Sequence, residues 1–121
     1  MSIGAVKAVE IGAGISAAQM RGFENNDQIL PTGFQTNNSG GILAGISNGD
    51  DIIARVHIKP IPSILKTQAT IDEEGRPRKI STKGRHDVCA IPRINMVCEA
   101  MMAIILTDHL LRQNIYSVNP L

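Results

Sequence analysis

Aromatic side chains are almost missing: Phe23, Phe34 and Tyr116 are the full set in 121 residues, and there is no tryptophan. Rings of this kind carry base stacking, so a single-strand nucleic-acid platform is not expected, and any core must be aliphatic. An excess of one charge is missing too. Twelve Lys and Arg stand against 11 Asp and Glu, net +1, which leaves no field to attract nucleic acid or an anionic membrane. The longest uninterrupted apolar run, Ala100 to Leu106, falls short of the roughly 20 residues of a membrane-spanning helix. No basic stretch, apolar segment and small-residue cleavage site open the chain. The expectation is a soluble, cytoplasmic protein with neither nucleic-acid nor membrane partner. Cysteine is scarce: Cys89 and Cys98 form no Cys-x-x-Cys pair and have no histidine at zinc spacing, so buried free thiols and no metal are expected.

What is present is 43% hydrophobic residues in a length typical of one domain. Ala5 to Ile11 reads as a strand closed by Gly12 and Gly14, and Ile15 to Arg21 as a short helical piece. Residues 22 to 41 are rich in Gly and Asn and include Pro31, supplying turns but little packing, and a loop of this length is usually functional. Ile42 to Ile46 and Asp51 to Lys59 read as strands flanking Asn48-Gly49, the favoured dipeptide of a tight hairpin. In the second of these, Arg55, His57 and Lys59 alternate with apolar residues, so one face is polar or binds an anion. Thr67 to Ile71 and Arg78 to Thr82 make another hairpin around Glu73-Glu74-Gly75-Arg76.

From Pro92 to about Asn114 no Gly or Pro interrupts a run of helix formers. Ile94, Val97, Cys98, Met101, Ile105 and Leu106 mark one stripe, yet Met102, Ala103 and Ile104 fill much of the rest, so this helix is apolar nearly all round and should lie between layers. The fold class is therefore α+β, with antiparallel sheets enclosing a long apolar helix.

Three segments could carry chemistry. Gly12-Ala-Gly14-Ile-Ser-Ala17 fits the G-x-G-x-x-G/A dinucleotide fingerprint, but the long crossover helix and the acidic residue about 20 positions on are missing. Lys59-Pro60-Ile61-Pro62-Ser63 fixes the backbone with two prolines and holds a lysine and a hydroxyl at a set separation, which suits a phosphate or ring carbonyl; a strand end with a solvated lysine is the plainer reading. Lys83-Gly84-Arg85-His86-Asp87 places a forked cation, an imidazole and a carboxylate in one short loop, fit for anion binding or proton exchange, or for a solvated turn. Glu99, Asp108 and His109 on the helix carry no expected chemistry.

In order along the chain, Met1-Ser-Ile-Gly-Ala-Val-Lys-Ala-Val-Glu-Ile-Gly12, Thr36-Asn-Asn-Ser-Gly-Gly-Ile-Leu-Ala-Gly-Ile-Ser-Asn-Gly49, Lys59-Pro-Ile-Pro-Ser-Ile64, Lys83-Gly-Arg-His-Asp87 and Asp108-His-Leu-Leu-Arg112 resemble the chorismate synthase family over roughly residues 1 to 113. Five motifs in register are far more specific than any one. Family members are about three times this length and carry upstream a Gly-Glu-Ser-His-Gly segment, an arginine-rich phosphate-binding stretch and a Gly-Arg-Ser-Ser-Ala-Arg segment, none of which occurs here. The resemblance implies the C-terminal portion of such a domain, with 113–121 a tail; the alternatives are an inactive partial flavin-binding or assembly module and, on the glycine fingerprint, a nucleotide-dependent oxidoreductase.

The resemblance also implies a carbon–oxygen lyase of the shikimate pathway. Its reaction is 1,4-elimination of phosphate from 5-enolpyruvylshikimate 3-phosphate to give chorismate, aided by reduced FMN, with NADPH as one source of the flavin's electrons. A homotetramer whose subunits enclose helices between antiparallel sheets is implied as well. Carried over by position, Gly4, Ala5, Ala44, Lys59, Pro60, Ile61, Pro62, Ser63 and Arg85 fall where the family contacts flavin, and Asp87, the implied catalytic residue, falls beside the reactive flavin nitrogen. Ile61 stands where many members have Thr, Ala44 where Gly is common, and Val88 where Pro usually follows the Asp.

Overall fold

A computed structural model describes residues 1–116. They divide into two compact units, Met1–Lys59 and Pro60 onward, and each is taken by itself.

The first unit is built on the antiparallel pair of β1 (Val6–Ile11) and β6 (Ala54–Ile58). Glu10 lies opposite Arg55 and Ala8 opposite His57, and the register slips between Val6 and Ala8, leaving Lys7 as the extra residue of a bulge. Between these strands the chain makes a 3-10 turn (Gly14–Gln19), a single α-turn α1 (Gly22–Asn25) and two small hairpins, β2 (Ile29–Leu30) with β3 (Gly33–Phe34) and β4 (Ile42–Leu43) with β5 (Ile46–Ser47). The helical piece expected from Ile15 to Arg21 is thus a 3-10 turn ending at Gln19, followed by α1.

The hairpin expected at Asn48-Gly49 is a correction. The turn closes four residues earlier, at Ala44-Gly45 (φ +49° and +80°), the pair of positive φ angles that a two-residue loop between twisted strands demands. Asn48 is taken by other bonds: its N–H donates to the Gly41 carbonyl at 3.1 Å and its Oδ1 accepts the Asp50 N–H at 3.0 Å. The Asp51–Lys59 segment then pairs with β1 rather than with its neighbour.

Loop 22–41 is ordered by polar groups, since it has few apolar ones. Asp27 Oδ1 accepts from the Thr36 hydroxyl and the Asn38 N–H at 2.7 Å each, and Oδ2 accepts from the Ser39 N–H at 2.8 Å. Partial desolvation pushes the Asp27 carboxyl up, but the hydrogen bonds from Thr36, Ser39 and Asn38 outweigh it and hold the group down at about 2. Beside this knot the backbones of Gly12 and Gly40 cross so closely that a Cβ on Gly12 would collide with the Asn38 carbonyl, and one on Gly40 with the Gly12 amide.

The second unit holds the hairpin of β7 (Gln68–Ile71) and β8 (Pro77–Ile80) and the helix α2 (Ile91–Tyr116). The hairpin matches expectation, and its turn is tied by Asp72, whose Oδ1 accepts the Arg76 N–H at 2.8 Å while Oδ2 pairs with Arg76 and Arg78 at 3.0 and 3.2 Å. α2 runs through Tyr116, so residues 113–116, expected in a tail, are helical; 117–121 lie outside the described residues.

The α+β class holds, but the enclosure of the helix is not formed within this chain. No α2 residue is buried; Ile94, Cys98 and Met102, one helical turn apart, are half-covered, and the other apolar side chains are exposed. α2 is long and apolar enough to cross a membrane by length and composition, which a count of uninterrupted apolar residues missed. Both cysteines are free thiols, as expected, but Cys89 is exposed and Cys98 half-buried. Among the described residues only Val6 is a buried hydrophobic. The accessible surface is 10199 Å², whereas even two separate compact domains of half this mass would expose roughly 7,700 Å² together.

Candidate functional site

In the first unit, the cationic face of β6 meets an anion that belongs to the protein. Glu10 Oε2 accepts from Arg55 Nη1 at 3.0 Å and lies 3.1 Å from His57 Nε2, while Oε1 accepts the Ile15 N–H at 3.2 Å. With a side chain only 15% exposed, Glu10 is held down at about 2 by the bond to His57, then that to Arg55, then the Ile15 amide. Sequence reading missed Glu10 because its partners stand 45 and 47 positions away. The signal was its place on the face of β1 that matches Arg55 and His57 once the two strands pair.

The same unit holds four of the positions, Gly4, Ala5, Ala44 and Lys59, that the family resemblance implies for flavin contact. The Lys59 N–H donates to the Ala5 carbonyl at 2.9 Å, which brings Gly4-Ala5 against the end of β6. Ala5 (φ +70°) and Ala44 (φ +49°) are the two non-glycine residues with positive φ among the described residues. Such backbones are strained for any residue with a Cβ, and strain of this kind gathers where a loop is shaped for a purpose.

In the second unit the Pro60–Ser63 segment and the 83–87 loop converge. Ile61, Ser63, Ile64 and Leu65 from one side and Gly84, His86, Asp87 and Val88 from the other line an open concavity of about 300 Å³. The Leu65 carbonyl also accepts the Ser81 hydroxyl at 2.7 Å, tying this wall to the end of the β7–β8 hairpin. Gly84 (φ +147°) passes close under the His86 imidazole, where a Cβ would come within 3.2 Å of Nε2. Asp87 is paired with a residue sequence reading did not single out: Arg93 Nη1, in the first turn of α2, donates to Asp87 Oδ2 at 2.8 Å. No group of three or more His, Cys, Asp or Glu that could hold a metal ion is found among the described residues.

An apolar wall that carries a hydroxyl, opposite an imidazole and a carboxylate, can hold one edge of a planar heteroaromatic ligand and exchange a proton with it. The glycine fingerprint at Gly12 does not serve this purpose. β1 pairs antiparallel with β6, a 3-10 turn stands where a crossover helix should begin, and Gly12 is used for a backbone crossing, so the dinucleotide-binding oxidoreductase reading fails.

Small antiparallel sheets, a long apolar helix and two motif loops meeting at one open concavity define a partial α+β domain. The family model described as chorismate synthase matches residues 1–111. Chorismate synthases from Desulfosudis oleivorans, Syntrophus aciditrophicus and Nitratidesulfovibrio vulgaris are 66%, 62% and 60% identical over 97%, 93% and 93% of this chain. A solved structure described as that of chorismate synthase superposes with a TM-score of 0.70 at 36% identity, covering 94% of this chain and 28% of its own. The chain belongs to the chorismate synthase family, and it spans about a third of the length of the curated relatives it matches.

Proposed function

We propose that the chain forms the C-terminal portion of a cytoplasmic chorismate synthase. The reaction is the 1,4-elimination of phosphate from 5-enolpyruvylshikimate 3-phosphate: a ring C–H breaks and its proton goes to a base, its electron pair forms a new ring double bond as the existing one shifts toward the carbon that loses oxygen, and phosphate leaves with the C–O bonding pair. The observation that carries the proposal is the meeting of Ile61 and Ser63 with His86 and Asp87 around one concavity, because these come from the two loop motifs of the family resemblance.

The residues present fit a flavin edge. Ile61, Ile64 and Leu65 offer an apolar wall and Ser63 a hydroxyl, and a volume of about 300 Å³ suits part of a planar ring rather than a whole nucleotide. Reduced FMN, when bound, supplies electron density that eases the departure of phosphate without net redox change, and NADPH is one source of its electrons. Lys59 and Arg85 bind anionic parts of cofactor or substrate, Gly4, Ala5 and Ala44 offer backbone, and the Pro60 to Ser63 segment holds its shape through two prolines. Asp87 accepts or relays the proton lost from the ring.

The exposed apolar faces of α2 are covered by the rest of the subunit and by neighbouring subunits of a homotetramer. Protein is favoured over lipid as the cover because Glu99 and the Asp108–Arg112 ion pair, 3.0 Å, lie along the helix, and ionised groups at the centre of a bilayer are costly.

The test is anaerobic phosphate release by the full-length protein with reduced FMN, parent against Asp87→Asn. The variant keeps size and hydrogen bonding but loses the proton acceptor, so turnover should fall about 10²-fold or more with flavin affinity retained. Turnover near the parent's with flavin bound would sink the proton role of Asp87.

A further inference from the structure

Asp87 stands in an irregular loop between Lys83 and Ala90, preceded by Gly84 at φ +147° and followed by Val88, which is 99% exposed. Nothing in that loop fixes a carboxylate rotamer. Arg93 does so from outside: it sits in the first turn of α2, where its N–H and that of Ile94 both donate to the Ala90 carbonyl, at 3.2 and 3.0 Å, and its guanidinium reaches back to Asp87 Oδ2 at 2.8 Å. A helix of 26 residues is the rigid element nearest to an otherwise adaptable loop, and positioning works best when anchored on such an element. The bond uses Oδ2 through a single guanidinium nitrogen, and Asp87 also lines the concavity with Ser63 and His86.

The pair is exposed, 77% for Arg93 and 50% for Asp87, and exposed ion pairs contribute little to stability. Its effect on orientation is another matter, since a misplacement of about 1 Å in a reacting group costs on the order of 10²-fold in rate.

We propose that Arg93 is the positioning residue of Asp87, holding the carboxylate in one orientation at the concavity so that it meets the reacting proton without a rotamer search. This rests on the proton role of Asp87 proposed above.

The experiment is a cycle in the full-length protein: Arg93→Gln, Arg93→Lys, Asp87→Asn and the Arg93→Gln/Asp87→Asn double variant, each measured for kcat, KM and flavin affinity. Arg93→Gln should lower kcat about 10-fold or more while KM and flavin affinity stay at parental values. Arg93→Lys should recover most of the loss, because a single cationic N–H donor is all the pair uses. In the Asp87→Asn background, Arg93→Gln should have no further effect on kcat, an outcome a merely structural arginine would not give. Parental kcat in Arg93→Gln together with a crippled Asp87→Asn overturns this inference and leaves the proton role standing. An equal loss from Arg93→Gln in both backgrounds also overturns it. Parental turnover by Asp87→Asn overturns both.

Discussion

Glu10 and Arg55 face each other across the β1–β6 ladder, their side chains joined at 3.0 Å, with His57 closing on the same carboxylate oxygen at 3.1 Å. A strand pair that lies 45 positions apart in sequence is thereby locked by one acid and two bases.

This lock sets a pH dependence. Glu10 is held down at about 2 and Asp27 also at about 2, both below their ordinary values of 4.5 and 3.8. A depressed carboxylate contributes stability above its unfolded value and loses it as pH falls through the folded one. Acid should therefore weaken the Met1–Lys59 unit progressively from about pH 5 toward pH 2. Amide hydrogen exchange across β1 and β6 in the full-length protein should show protection falling over that window. Glu10→Gln should lower protection near neutral pH and flatten the profile; an unaltered profile would show that the pair does not hold the strands.

The isolated 121-residue chain should neither turn over nor melt cooperatively. With Val6 as the buried hydrophobic among the described residues, the hydrophobic term that drives cooperative folding is small. Scanning calorimetry should give no sharp transition, and a dye that reports exposed apolar surface should bind strongly. Chorismate formation by this chain alone, with reduced FMN and no oxygen, would overturn the assignment of the remaining acid–base and phosphate-binding groups to sequence outside it.

Lys59→Met and Arg85→Met in the full-length protein should each weaken flavin binding, read as fluorescence quenching. Removing one charge-assisted contact costs about 1.5–3 kcal/mol, or roughly 10- to 100-fold in affinity. Unchanged affinity in both variants would return these residues to a solvated strand end and turn.

Gly12→Ala should be among the most damaging small changes in this chain, because the new Cβ collides with the Asn38 backbone and the residue sits at φ +56°. In the full-length protein the thermal midpoint should fall, by a loss of about 3 kcal/mol, the upper end of the usual range for a single substitution; an unchanged midpoint would show that the crossing relaxes around the methyl group. Ala44→Gly should act in the opposite sense, raising the thermal midpoint of the full-length protein by relieving a Cβ at φ +49° that costs about 1–2 kcal/mol. A lowered midpoint would mean that the methyl group packs usefully.

The sequence by itself determined the elements that depend on neighbours in the chain. The glycine-closed run of β1, the alternation of β6, the Glu-Glu-Gly-Arg turn between β7 and β8 and the long apolar run of α2 follow from local periodicity and turn chemistry, and five spaced motifs pointed to the family later matched over residues 1–111. Pairing required the tertiary structure. Asn48-Gly49 looked like the stronger hairpin, yet Ala44-Gly45 supplies the turn, because Asn48 finds better bonds with Gly41 and Asp50 and β6 finds β1. Glu10 with His57 and Arg55, and the closure of loop 22–41 around Asp27, were equally invisible, since hydrogen-bond partners 9 to 47 residues away leave no mark on local pattern. Asp87 was legible as a carboxylate of interest, but the residue that orients it is set by the direction in which the first turn of α2 presents Arg93, a matter of three-dimensional geometry that no spacing rule contains.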